Sequence, residues 1–111
     1  MNIQDVTTRF DFEQIVLPKE NKEILGGYTS DLLSDVMANA QEGQVLITIQ
    51  AHKNSIAVAT LIGMPVIIIC NNRPIPDDMK ESAEKEGIAI FRTQKNQFEV
   101  SGIFYREFYC K

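Results

Sequence analysis

The sequence has no tryptophan, one histidine, His52, and two widely separated cysteines, Cys70 and Cys110. That inventory offers neither a CxxC pair nor a Cys/His ligand set, so no metal is expected. Two cysteines without a leader segment read as reduced thiols of a cytoplasmic protein, with a Cys70–Cys110 disulfide as the minor alternative. Long apolar runs are also missing. The longest, Met64 to Cys70, is far shorter than the roughly 20 residues a membrane helix needs. Met1 to Phe12 is too polar for a secretory segment, so a soluble chain without membrane contact is expected. Positive charge is in deficit, with 11 Lys and Arg against 15 Asp and Glu, a net charge of -4. The clustered cations that bind a phosphate backbone are absent, and nucleic acid is not an expected partner.

Catalytic signatures are missing as well. There is no GxxxxGK[ST] phosphate loop, no GxGxxG and no GxSxG elbow, and Gly26-Gly27 alone carries no phosphate-binding meaning. A lone histidine without an evident nucleophile or orienting carboxylate makes no triad. Asp31 and Asp35, four apart, read as a solvated helix stripe, and no aspartate stands at a strand end to accept a phosphoryl group. The chain is therefore read as a non-enzyme with no catalytic residues and no cofactor.

What the sequence does contain is a regular alternation. At 111 residues it suits one domain over 1–111, which would bury roughly 65% of its unfolded surface and needs no staple. Residues 3–9 are read as a short helix and 14–17 as a first strand. Gly26-Gly27 is read as a sharp backbone change. Leu32, Leu33, Val36, Met37 and Ala40 follow helical spacing, with Thr29 or Ser30 as cap, Asp31 in the first turn and Gly43 as the stop. Val45–Ile49 and Val66–Cys70 are short, β-branched and almost continuously apolar, as in strands covered on both faces. Between them, 54–63 suits a crossover helix rich in small residues. A polar helix over 76–86, a strand over 88–92 and a final helix over 97–109 complete the series. The expected fold class is α/β: a three-layer α/β/α sandwich with a small, mostly parallel sheet.

In such a sheet, ligands gather where loops leave the carboxyl ends of the strands. Those ends carry Gln50, His52, Asn54, Asn71, Asn72 and Thr93, with Thr29 and Ser30 bordering them. Hydrogen-bonding groups with little fixed charge suit a nucleotide or phosphorylated small molecule, and free amides at the Thr29–Asp31 helix start would favour an anion. The same residues also have local uses: Asn54 as a helix cap, Asn71 and Asn72 as turn formers, His52 as a solvated loop residue. The final helix carries two apolar stripes, Val100, Ile103, Phe104, Phe108 and Phe98, Gly102, Tyr105, Tyr109. A second stripe means either contact with another chain, a homodimer or a protein partner with Phe98, Tyr105, Phe108 and Tyr109 in the interface, or a helix wedged against the N-terminal segment.

Several segments resemble the DRTGG family: Tyr28 to Val36 (YTSDLLSDV), Ile47 to Asn54 (ITIQAHKN), Val58-Ala59, the Ile67–Ile69 strand and Phe98 to Gly102 (FEVSG). The resemblance implies an α/β/α domain similar to the N-terminal domain of HPr serine kinase, used as a non-catalytic, often dimeric regulatory module. It further implies a partner in signalling or redox metabolism. The chain departs from the family where the name-giving Asp-Arg would fall, at Ala51-His52, and where Thr-Gly-Gly would follow, at Cys70-Asn71-Asn72.

Overall fold

The computed structural model describes residues 1–110. Ten elements follow in order: α1 (Ile3–Arg9), β1 (Glu13–Val16), β2 (Gly26–Thr29), α2 (Leu33–Asn39), β3 (Gln44–Thr48), α3 (Lys53–Ile62), β4 (Val66–Ile69), α4 (Asp77–Glu86), β5 (Ala89–Arg92) and α5 (Gln97–Tyr109). The strands form one five-stranded sheet in the order β1-β5-β4-β3-β2. β2 to β5 are parallel neighbours, and β1 joins β5 antiparallel. The expected three-layer, mostly parallel architecture is what is found.

The apolar runs work by alternation. Leu46, Ile67, Ile69 and Ile90 point to one face, with Val36 of α2, Ile56 and Ala59 of α3 and Met79 and Ala83 of α4. Val45, Ile47, Val66, Ile68 and Phe91 point to the other, with Ile3 and Val6 of α1 and Val100 and Phe104 of α5. Successive side chains of a strand leave on opposite faces, so a strand buried on both sides must be apolar throughout. Hence Val66 to Ile69 contains no polar residue and is completely buried. The three crossover helices lie on one face because right-handed β-α-β connections that advance in one direction across a sheet bank on the same side.

Local signals set the helix ends. Asn2 and Asp5 form a capping box that stabilises α1, and Asn96 and Glu99 repeat the device on α5; each satisfies two otherwise orphaned amides. Gly63 and Gly87 close α3 and α4 in the left-handed conformation, φ 90° and 76°, which glycine adopts without a Cβ penalty.

Three local expectations are overturned. Gly26 and Gly27 are not a break but the first half of β2, held in register against Gln44 and Val45. Thr29 and Ser30 do not cap α2, which starts at Leu33 with Leu32 at the cap and no side-chain bond to it. Thr29 is instead the last residue of β2, and Gly43 lies beyond the end of α2 at Asn39. In consequence Leu32 and Met37 stay largely exposed, at 64% and 48%, rather than joining a core stripe.

Both cysteines are free, Cys70 buried and Cys110 exposed, so the disulfide alternative is set aside. Burial, with the nearby Asp31 charge, pushes the Cys70 thiol up to about 11, which leaves it protonated and unreactive at neutral pH. Among the described residues no helix is long and apolar enough to cross a membrane.

Candidate functional site

The polar residues expected at the strand ends do lie along one edge of the sheet, but most of their hydrogen-bonding groups serve the loops that carry them. His52 is the cap of α3: its Nδ1 accepts from the Asn54 amide at 3.0 Å. Asn54, expected as the cap, is instead an exposed residue inside that helix. Gln50 donates its amide to the Thr48 hydroxyl and accepts from the Ser55 hydroxyl through its carbonyl. Asn71 and Asn72 both have positive φ, 59° and 51°, a conformation asparagine tolerates better than other side chains. Their amides donate to the carbonyls of Lys95 and Thr93 at 3.0 and 2.8 Å. Those two bonds close the gap between the β4 and β5 loops, where the connections diverge to opposite faces of the sheet. Thr93 is buried and accepts from the Lys95 amide.

The open space lies beside that seam. A cavity of about 380 Å³ is lined by Asn72, Thr93, Gln94, Lys95, Arg92 and the Asp11–Glu13 segment. Its Arg92 is already paired to Glu13 at 2.9 Å. Of the other candidates, Asn54 borders a separate cleft between α3 and α4. Thr29 borders a narrow one under α5. Ser30 holds a tight turn, accepting from the Leu32 amide. The eight candidates are thus neighbours along an edge and not the walls of one pocket. Among the described residues no group of three or more His, Cys, Asp or Glu could hold a metal ion.

Sequence reading took Asp31 for a first-turn residue on a solvated helix stripe and missed its role: it precedes α2 and organises this edge. Asp31 Oδ1 accepts from the Thr48 hydroxyl and the Ile49 amide, both at 2.9 Å, and from the Gln97 side-chain amide at 2.7 Å. One carboxylate therefore joins the β2–α2 turn, the end of β3 and the start of α5. The available signal was Thr48, a hydroxyl inside an otherwise apolar run, which when fully buried demands a partner. Nearby, the Ser30 hydroxyl, the Tyr28 phenol and the Asn39 amide hold the Asp35 carboxyl below the usual carboxylate range. The carboxylate in turn raises the Tyr28 phenol.

The second candidate surface is α5. Val100 and Phe104 are buried, while Phe98, Tyr105 and Tyr109 are 88%, 61% and 68% exposed. Phe108 is half-buried at the rim of the core and belongs with the packed stripe. The helix is also held against the N-terminal segment. Arg9 pairs with both carboxylate oxygens of Glu107, and Phe10 and Phe12 pack on Phe104. The wedged arrangement thus accounts for one stripe, and the other faces outward.

The sequence pattern of the family described as HPr Serine kinase N terminus matches residues 41–105. No curated protein matches. A solved structure, the CBS and DRTGG domains of the regulatory region of Clostridium perfringens pyrophosphatase complexed with the activator diadenosine tetraphosphate, is similar with a TM-score of 0.72 at 13% identity. The similarity covers 92% of this chain and 45% of that one, so this chain spans less than half of its length. At that identity the likeness concerns the fold.

Replacing Asp31 with Ala leaves the buried Thr48 hydroxyl without its acceptor and is expected to cost about 1–3 kcal/mol in urea unfolding. In a Thr48→Val background no hydroxyl is orphaned, so the same replacement should cost measurably less. Asp35 gives a pH signature. Its folded-state pKa is lowered, so its stabilisation is present above the ordinary carboxylate value and lost as pH falls below that value through the lowered folded-state one. Asp35→Asn should flatten the acid limb of the stability–pH curve, and an unchanged limb would contradict this role.

Proposed function

This chain belongs to the HPr serine kinase N-terminus family, a DRTGG-like domain, and from that premise we propose that it is a non-catalytic regulatory module working as a homodimer. The observation that carries the reading is the outward stripe of α5. Phe98, Tyr105 and Tyr109 are an exposed aromatic row on a helix whose other side is already packed. Aromatic residues of that kind are enriched in protein interfaces and depleted on ordinary surfaces. The regulatory part is supported by the similar fold in the regulatory region of a pyrophosphatase. The residues with chemical potential point the same way. His52 uses its Nδ1 as a helix cap, and the Cys70 thiol is held protonated. A further protein partner in signalling or redox metabolism would meet the dimer on its remaining surface.

A second reading is favoured by the cavity beside Asn72 and Thr93. Its volume falls within the range of small-molecule sites, and Lys95 and the side-chain amide of Asn72 offer donors to a nucleotide or phosphorylated metabolite. The activator in the similar pyrophosphatase region is a dinucleoside polyphosphate, which supports testing that ligand class first.

Sedimentation equilibrium at micromolar concentration should give twice the monomer mass, and Phe98→Asp with Tyr105→Asp should return the monomer while leaving the circular dichroism spectrum unchanged. A wild-type chain that stays monomeric across that range removes the dimer reading. For the ligand, a thermal-shift series with nucleotides and phosphorylated metabolites should contain at least one stabilising compound whose effect is lost in Asn72→Ala. A flat series across all of them disposes of the sensor reading.

A further inference from the structure

We propose that the second copy docks edge to edge, with β2 of one protomer pairing antiparallel with β2 of the other to give a continuous ten-stranded sheet. This rests on the homodimer reading above and names the contact within it.

The two edges of the sheet are built differently. The β1 edge is blunted. Its pairing with β5 is interrupted by a register shift between Gln14 and Val16, Glu13 holds an ion pair with Arg92, and Pro18 follows shortly after the strand. Charges, bulges and prolines are the devices by which sheets discourage pairing at an exposed edge. β2 has none of them. Its sequence is Gly-Gly-Tyr-Thr, its register against β3 is unbroken, and no described strand lies on its outer side. Ser30 donates to the Ile47 carbonyl of β3. Alternation along a parallel ladder then turns the amide and carbonyl of Gly27 and Thr29 outward. A two-fold axis at Tyr28 pairs Gly27 of each copy with Thr29 of the other through four backbone hydrogen bonds.

The flanks fit the same axis. α5 lies above β2 and, less closely, β3. With strands about 4.8 Å apart, two such helices meet across the axis near the 8–10 Å at which helices pack. Phe98, Tyr105 and Tyr109, at 88%, 61% and 68% exposure, leave on the order of 400 Å² of aromatic surface open per copy. That is about half of the roughly 800 Å² a partner contributes to a stable interface. Leu32 and Met37, exposed on the side of the sheet that α2 covers, offer further apolar surface there. Gly102 has nothing within 4 Å of where a Cβ would stand, which gives the facing helix room. The residues named in this contact are themselves uncharged on a chain of net charge -4, and together with the open aromatic area they suit a second copy as the occupant. An antiparallel two-fold contact needs no other sequence than its own, the isologous case.

The test separates edge pairing from dimerisation as such. Thr29→Val removes the hydroxyl bond to Ser101 but keeps the outward amide, and should remain dimeric. Thr29→Pro removes the amide and should raise the dimer dissociation constant at least about tenfold in sedimentation while staying folded. In the wild type, NMR hydrogen exchange should slow at the Gly27 and Thr29 amides as concentration rises through that constant. This second readout holds even where the proline variant does not fold. A dimer that persists in Thr29→Pro, or whose Gly27 and Thr29 amides exchange at the monomer rate, overturns the edge contact and leaves the homodimer standing. A monomeric wild type overturns both.

Discussion

The handedness of the crossovers governs this structure more than any single contact. β2, β3, β4 and β5 advance across the sheet in sequence order, and right-handed connections then place α2, α3 and α4 on one face. The opposite face of five strands is left to α1 and α5 alone. That division explains why α5 is the longest helix, why Phe10 and Phe12 are drawn in against Phe104 to fill the remaining gap, and why Arg9 reaches across to Glu107. Among the described residues no element is left to cover the far side of α5. The exposed row of Phe98, Tyr105 and Tyr109 follows from topology as much as from composition.

Most of the elements were legible because their signals are local and redundant. The runs 45–49 and 66–70 are too β-branched and too apolar to be anything but strands covered twice, and the final helix is framed by its own capping box. β2 was not legible. Gly-Gly-Tyr-Thr has weak strand preference, and it becomes a strand only because β3, which begins fifteen residues after β2 ends, supplies a ladder for it. Once residues 26–29 are extended, the following helix must start late. Leu32 then falls at a helix boundary instead of on a buried stripe. A single non-local pairing shifted three local readings.

The strand-end residues show a different limit. Their position along one edge could be read from the sequence, but their occupation could not. Asparagine at positive φ, a histidine capping a helix and a threonine closing a loop use the same donors and acceptors that would recognise a ligand. Only coordinates distinguish a group that is spent from one that is free. Asn71 and Asn72 are the clearest case. The divergence of the β4 and β5 loops marks a natural crevice, yet two backbone bonds from these residues stitch it closed and displace the open volume toward Arg92 and Lys95.

Asp31 connects the two surfaces. Its carboxylate is bound to the end of β3 and to Gln97, the residue before Phe98, while its own chain continues into the exposed Leu32. The corner where the strand-end loops meet the aromatic row is therefore fixed by one charged group with three donors. Hydrogen bonds to a charged acceptor are stronger than neutral ones, and a carboxylate shared by three segments holds them at mutual positions that apolar packing alone leaves free to slide. A change at the strand ends that altered the hold on Asp31 would move Gln97, and through it the start of α5. The geometry thus gives the strand-end loops and the outward face of α5 a common mechanical element, one carboxylate that holds both.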